Sequence, residues 1–362
     1  MYIESMQLKD FRNYEELSLE LSPGINIFYG NNAQGKTNIL EAMYLCSTTR
    51  SHKGSRDRDM IRFGSDQAHL RMEIVRDDIK HRIDMHLRRG RSKGAAVDGI
   101  PIRRSAQLLG MVHIICFSPE DLSMIKNGPA ERRRFLDMEL CQLDSVYLRE
   151  LSDYNKVLLQ RNALLRQISF QYSLIDTLDA WDMQLVRYGS RIIQARREFV
   201  DKLNTIIEPV HASLTGGREK LTVIYRPNVE ADGLAEAVQE GRQTDLRMKT
   251  STAGPHRDDL AFEADGIDIR KYGSQGQQRT AALSLKLAEI EIVRRLIGEA
   301  PVLLLDDVLS ELDAGRQNYL MDSIKDIQTM ITCTGLDEFV RHRLSIDRIY
   351  RINAGKAQRI AQ

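Results

Sequence analysis

Residues 25–37 read INIFYGNNAQGKT. A short, nearly continuous apolar run enters a loop that begins with Gly30 and ends in Gly35-Lys36-Thr37, and NILEAMYL follows as a helix. A run this apolar predicts a central strand rather than an edge. Strand, glycine-rich loop and helix, in that order, are what a chain needs to cradle an anion. Glycines let backbone N–H groups turn inward, and the helix start adds its positive end. Gly30-x-x-x-x-Gly35-Lys36-Thr37 matches the P-loop pattern, in which the lysine reaches the β and γ phosphates and the threonine hydroxyl binds Mg²⁺. The ATP-binding residues expected here are Gly30, Asn31, Asn32, Ala33, Gln34, Gly35, Lys36, Thr37 and Asn38.

Such a loop needs a carboxylate beside it. Residues 301–307 read PVLLLDD, a buried strand running into Asp306 and Asp307. Asp306 is the expected partner of Thr37 in holding Mg²⁺. Asp307, with Lys36, is the expected catalytic residue, because chemistry at a γ-phosphate needs an oriented water more than covalent help. Ser310-Glu311-Leu312-Asp313 follows directly. Upstream, Ser274, Gln275, Gly276 and Gln277 stand at the start of a long helical stretch, a second position suited to an anion. One γ-phosphate does not need two cradles from one chain, so the second is expected to meet the ATP of another copy.

The rest of the chain frames these elements. Alternating stretches Ser5–Leu8, Glu15–Leu21, Ala68–Val75 and His81–Leu87 predict strands, with a hairpin at Asp98-Gly99 and a buried strand over Val112–Phe117. From about 119 to 209 the pattern turns helical, with Ser118 as cap and Pro119 at the first helical position. Tyr147, Leu151, Tyr154, Leu158 and Leu165 form one apolar stripe, interrupted at Arg161; Leu178, Trp181, Leu185, Tyr188, Ile192, Ala195, Phe199 and Ile206 form another. They predict an antiparallel helical hairpin, ended by Pro209. Mixed structure then returns. The expected organisation is an α/β P-loop ATPase head, 1–117 plus 210–362, with an inserted helical domain over 118–209. Of 362 residues 42% are hydrophobic, and net charge is +1, so any basic surface must be local. Four scattered cysteines form no C-x-x-C pair and suggest a reducing compartment. No stretch looks like a signal peptide or a membrane span, so a cytoplasmic location is expected.

Gly30–Thr37 resembles a Walker A motif, Gly273–Gln277 a variant of the LSGGQ signature, Val302–Asp307 a Walker B motif and Ser310–Asp313 a D-loop. In this order they resemble the ABC-type ATPases, and the SMC-like DNA-repair branch in particular. Phe11-Arg12-Asn13-Tyr14, Phe117–Leu122, Arg132–Asp137, Gly254–Asp259 and Tyr272–Arg279 are similar to stretches of the RecF family of bacterial recombination mediators. The resemblance implies an ABC-type head that binds ATP and Mg²⁺, dimerises around two ATP molecules and binds DNA in that state. It further implies action at gaps and stalled forks with RecR and RecO, promoting RecA loading, and slow hydrolysis that resets the clamp. It also implies a tie of Arg132–Arg134 to ATP or the dimer contact. Against the wider ABC pattern, Asp307 replaces a glutamate, Val112–Phe117 ends without a glutamine, and Thr332 or Thr334 stands where a histidine is common.

Residues 50–104 hold 15 Lys+Arg against 8 Asp+Glu. Arg50, Lys53, Arg56 and Arg58, and then Arg88, Arg89, Arg91 and Lys93, are the candidates for contact with DNA phosphates. His52 and His256 are read as structural or phosphate-adjacent. An alternative function is the nucleotide-binding subunit of a membrane transporter. It shares the motifs but does not require some 235 residues between Thr37 and Gly273. A small-molecule kinase would need neither Gly273–Gln277 nor Ser310–Asp313.

Overall fold

The computed structural model describes residues 1–336 and 346–360. They divide into two compact units: Met1–Asp121 with the chain from Lys286 onward, and Leu122–Leu285. The sequence reading returned the chain to the ATPase head at 210, but residues 210–285 pack with the helical unit. The strand Leu221–Arg226 lies against the helix Leu178–Thr215. Asn204 fastens the two, its Nδ2 donating to the Val223 carbonyl at 2.8 Å and its Oδ1 accepting from the Val223 N–H at 2.8 Å.

The first unit contains two six-stranded sheets. The antiparallel one runs, edge to edge, Tyr14–Glu20, Tyr2–Phe11, Gln67–Arg76, Ile79–Arg88, Gly94–Val97, Ile100–Ile102. The other runs Lys356–Ile360, Ile346–Asn353, Ile25–Tyr29, Thr329–Cys333, Val302–Asp306, Ile114–Phe117, parallel throughout except for its first pair. The helix Lys36–Thr48 contributes Ile39, Leu40, Ala42, Met43, Leu45 and Cys46 to a core shared with both sheets. Met6, Leu8, Leu70 and Met72 come from the antiparallel sheet and Phe28, Leu304 and Met330 from the parallel one. The two last strands leave little trace in the sequence, because their half-exposed faces blur the period. The sequence suggests a cap at Ser118 Oγ; instead the Ser118 N–H donates to Asp121 Oδ2 at 2.7 Å, opening a 3₁₀ turn over Pro119–Asp121.

In the second unit the helix Ser145–Ile168 packs along Leu178–Thr215, beside a three-stranded sheet of Ile267–Asp268, Asp259–Ala264 and Leu221–Arg226. The helix does not stop at Pro209. Its buried face continues through His211 and Thr215, and Gly216, in the left-handed region, ends it. Packing of that face outweighs the single hydrogen bond the proline removes. The seam is also less apolar than the stripes suggest. Tyr147, Tyr154, Arg161 and Ile168 are buried at seven-residue spacing, as are Asp182, Gly189, Arg196 and Leu203. Arg161 therefore sits in the seam rather than interrupting it. It donates to Asp182 Oδ1 (2.6 Å), Asp245 Oδ2 (2.6 Å) and Ser251 Oγ (2.7 Å).

Arg196 is bound on every side. Nε donates to Tyr147 Oη (3.1 Å), Nη1 to the Pro255 carbonyl (2.7 Å) and Asp258 Oδ2 (2.8 Å), and Nη2 to Asp137 Oδ1 (2.8 Å). Removing one partner of a buried pair leaves the other charge uncompensated. Arg196→Met is expected to lower unfolding free energy by about 3–5 kcal/mol, read from the urea midpoint; an unchanged midpoint would refute this account of the seam.

Candidate nucleotide site

The site grows from the carboxyl ends of parallel strands, where open α/β sheets bind ligands. Ile25–Tyr29 lies between Thr329–Cys333 and Ile346–Asn353. Its chain leaves the sheet as Gly30–Gly35 and turns directly into the helix that begins at Lys36. Both glycines are in the left-handed half of φ, at 153° and 111°. A Cβ on Gly30 would stand 2.3 Å from the Ile352 carbonyl oxygen, and one on Gly35 2.6 Å from Asn13 Nδ2. Only a residue without a side chain lets the loop lie this close to its neighbours.

The turn after the first strand braces the loop. Asn13 Nδ2 donates to the Gln34 carbonyl at 2.9 Å, and the Tyr14 hydroxyl donates to the Gly35 carbonyl at 3.0 Å. Asn38 Nδ2 donates to Asn13 Oδ1 at 2.8 Å, and the Ala354 N–H to Gln34 Oε1 at 2.7 Å. Burial pushes the Tyr14 hydroxyl far above its usual range, which keeps it a donor. Next to it, Arg12 grips Glu41 with two parallel bonds, Nε to Oε2 (2.8 Å) and Nη2 to Oε1 (2.7 Å). Burial raises the Glu41 pKa, but Arg12 and Ser51 outweigh it, so the carboxyl sits below its ordinary value. These braces were visible in the sequence only as the stretch Phe11-Arg12-Asn13-Tyr14.

Lys36 is 6% exposed, and its ammonium donates to the carbonyls of Gly30 (2.6 Å) and Asn31 (2.9 Å). The Thr37 hydroxyl donates to Asp306 Oδ1 at 2.8 Å, although 269 positions separate the two. Thr332 Oγ1 reaches the same oxygen at 2.8 Å and accepts from the Asp307 N–H at 2.9 Å. Thr332 is thus the residue of the Thr332/Thr334 pair that touches the acids. Asp307 has φ 58°, a strained value for a residue with a side chain. Its N–H is held by Thr332 and its carbonyl accepts from Ser310 Oγ at 2.8 Å. Its carboxylate has no hydrogen bond or ion pair among the described residues. His52 is also here, edge-on to Tyr44 with ring centres 5.6 Å apart; burial pulls its pKa down.

The donor set fits magnesium shared with phosphates. No group of three His, Cys, Asp or Glu able to hold a metal occurs among the described residues. One hydroxyl and one carboxylate suit an ion that takes its other ligands from phosphate oxygens and water.

The remaining candidates divide. Ser310 joins the site through Asp307, and Asp313 caps the helix Ala314–Ser323, accepting from the Arg316 N–H at 3.0 Å. Leu312 lies between them; the Glu311 side chain lies outside the described residues. Ser274–Gln277 belongs to the second unit. There the Ser274 N–H donates to Gln277 Oε1 (2.8 Å) and the Gln277 N–H to Ser274 Oγ (3.2 Å), a reciprocal cap that leaves Ser274, Gln275 and Gly276 exposed at the start of Gln275–Ile297. In the same unit Arg132 is buried against Asp259 (Nε–Oδ1 2.6 Å), and Arg133 Nη1 donates to the Asp258 carbonyl. His256 Nδ1 lies 2.6 Å from the Tyr154 hydroxyl, and burial draws its pKa down to about 4. Of the basic residues, Arg50, Lys53, Arg56, Arg58, Arg88, Arg89 and Arg91 are exposed. Lys93 is not free: Nζ donates to the Thr49 carbonyl (2.6 Å) and Asp57 Oδ1 (2.9 Å).

Residues 2–358 match the RecF/RecN/SMC N-terminal domain family. The DNA replication and repair protein RecF of Agathobacter rectalis is 56% identical over 358 residues, 99% of each chain. The solved structure of the recombination mediator protein RecF with ATP, in the RecFOR pathway, superposes with TM-score 0.93 at 34% identity, covering 99% of this chain and 98% of that one. An Smc head from Pyrococcus furiosus, 17% identical with TM-score 0.59 over 100% and 96% of the two chains, shares the fold. Both the expected ABC-type α/β head and the family resemblance hold: the chain belongs to the RecF family of DNA replication and repair proteins.

Proposed function

We propose that this chain is an ATP-gated DNA-binding protein of recombinational repair, active as a dimer that closes around two ATP molecules. The observation that carries the reading is the 2.8 Å bond from Thr37 Oγ1 to Asp306 Oδ1, which joins the two sequence-distant halves of a magnesium–nucleotide site. With nucleotide bound, the Lys36 ammonium exchanges loop carbonyls for the β and γ phosphates. Thr37 and Asp306 would hold Mg²⁺, which would supply positive charge beside the phosphates. Asp307, clamped at its backbone and with a carboxylate unpaired among the described residues, orients the attacking water. It is one methylene shorter than the usual glutamate, in keeping with slow turnover.

Ser274, Gln275, Gly276 and Gln277 meet the γ-phosphate held by the second copy, and Ser310–Asp313 lines that contact. The exposed arginines and Lys53 take DNA phosphates; Lys93 positions the segment that carries them. In this reading the dimer acts with RecR and RecO at gaps or stalled forks to promote RecA loading. A transporter subunit is disfavoured by the full-length match to RecF.

Sedimentation with and without ATP and Mg²⁺, with a labelled gapped duplex, tests the whole reading: dimerisation that needs ATP, and DNA bound only by the dimer. Lys36→Ala should weaken ATP binding about 10- to 100-fold, the worth of a charged hydrogen bond, and abolish both responses. A wild-type monomer that binds ATP but neither dimerises nor holds DNA would leave only a nucleotide site. Asp307→Ala should retain ATP and slow phosphate release about 10²-fold or more, prolonging the dimer; undiminished release removes Asp307 from the chemistry. Ser274→Arg should keep ATP on the monomer while preventing dimerisation, and normal dimers of that variant would exclude the shared cradle.

A further inference from the structure

The antiparallel sheet of the first unit has a second face that the nucleotide site does not use. Along Gln67–Arg76 and Ile79–Arg88, Ala68, Leu70, Met72, Ile83, Met85 and Leu87 point into the core. Alternation sends His69 and Arg71 outward from one strand and Arg82, Asp84, His86 and Arg88 from the next. The register places His69 opposite His86 and Arg71 opposite Asp84. On the neighbouring strand, Gly94 and Ala96 stand opposite His86 and Asp84. These small residues leave a groove of about 470 Å³ lined by the basic ones.

Asp84 lies on this outward face yet is only 6% exposed, because cations cover it. Oδ1 accepts from Arg71 Nε at 2.8 Å and contacts His69 Nε2 at 3.2 Å; Oδ2 accepts from Arg82 Nε at 2.9 Å. Burial raises its pKa, but Arg71 and Arg82 outweigh it and the carboxyl stays below its ordinary value. One carboxylate therefore faces two arginines and a histidine. Both guanidinium groups bonded to it use only Nε, and their terminal nitrogens have no partner among the described residues. A network serving the sheet alone would satisfy Asp84 with one guanidinium turned fork to fork. Here two forks are anchored by one edge and open at the other, the edge that grips a phosphate.

We propose that this groove is a phosphate-binding site, in which the free edges of Arg71 and Arg82 hold the anion and His86, once protonated, adds a third charged donor. The phosphate is either that of a nucleic-acid strand or a free one. His86 stacks on His69, ring centres 4.3 Å apart. The groups facing it are His69 and Arg71 from one neighbouring strand and Asp84 and Arg88 on its own; the strand on the other side presents Gly94, with Ser92 at the rim. Burial lowers the His86 pKa, and His69, Arg88 and Arg71 add to this against Asp84. A bound anion favours the imidazolium and raises that pKa. Binding then takes up a proton, and affinity gained at low pH is lost as pH rises through the raised value. The site shares Arg88 with the basic surface proposed for DNA, but it does not depend on ATP or on dimerisation.

The test is calorimetric titration of the full-length protein at pH 6 and pH 8 with thymidylyl-thymidine, octathymidylate and inorganic phosphate. A diester keeps its charge over this range, so its pH dependence belongs to the protein. Thymidylyl-thymidine or octathymidylate binding more tightly than inorganic phosphate identifies a strand as the source; the reverse identifies free phosphate. Arg82→Lys keeps the ion pair with Asp84 while removing the open fork, and should weaken the bound probe about tenfold or more at both pH values. His86→Gln should leave the urea midpoint unchanged and abolish an advantage of about tenfold at pH 6, the size expected of one hydrogen bond from a charged donor. Equal affinity of wild type and Arg82→Lys for every probe, or a pH dependence that survives His86→Gln, overturns the proposal.

Discussion

The first unit is organised around one oxygen. Asp306 Oδ1 accepts from Thr37, which opens the P-loop helix, and from Thr332, at the end of the adjacent parallel strand. Thr332 in turn fixes the N–H of Asp307. A strand end, a helix start and the residue proposed for catalysis are thus set relative to each other by two hydroxyls and one carboxylate. This carboxylate is 5% exposed and has no ion pair among the described residues. Threonine hydroxyls satisfy its geometry without pairing it with a cation, which suits the magnesium role proposed for it.

The second unit treats its acids in the opposite way. Asp258 is fully buried and meets Arg196, Tyr225 and the Asn228 N–H. Asp182 and Asp245 share Arg161. These charges are matched in place and give nothing to a ligand. Asp306 is answered by hydroxyls alone, whereas Asp258, Asp182 and Asp245 each meet a guanidinium, although all four read alike as Asp in the sequence.

That difference also marks what could be read from the chain. Ile25–Tyr29 and Val302–Asp306 were legible because a strand buried on both faces writes itself as uninterrupted apolar residues, and Gly30–Thr37 because its backbone demands glycine at fixed positions. The heptad tracks through Arg161 and Arg196 were not. A seam is usually recognised by apolar letters, and these arginines reach it only because acids from other segments, such as Asp245 and Asp258, come to meet them. For the same reason Lys93 looked like one more surface charge. Its partners, Thr49 and Asp57, adjoin it only in the folded sheet. Residues 210–285 read as a return to mixed structure, which they are, but no local pattern says which unit a hairpin will join.

The brace on the P-loop has a consequence for how the protein is made. The strand Ile346–Asn353 borders Ile25–Tyr29, the Ile352 carbonyl stands where a side chain on Gly30 would be, and the Ala354 N–H holds Gln34. Residues more than 300 positions downstream thus complete one wall of a loop synthesised well before them. A growing chain carries the loop with that wall missing until those residues are added, and the Asp306 carboxylate, 269 positions beyond Thr37, also follows it. The loop is therefore braced in full only once residue 354 has been added to the chain.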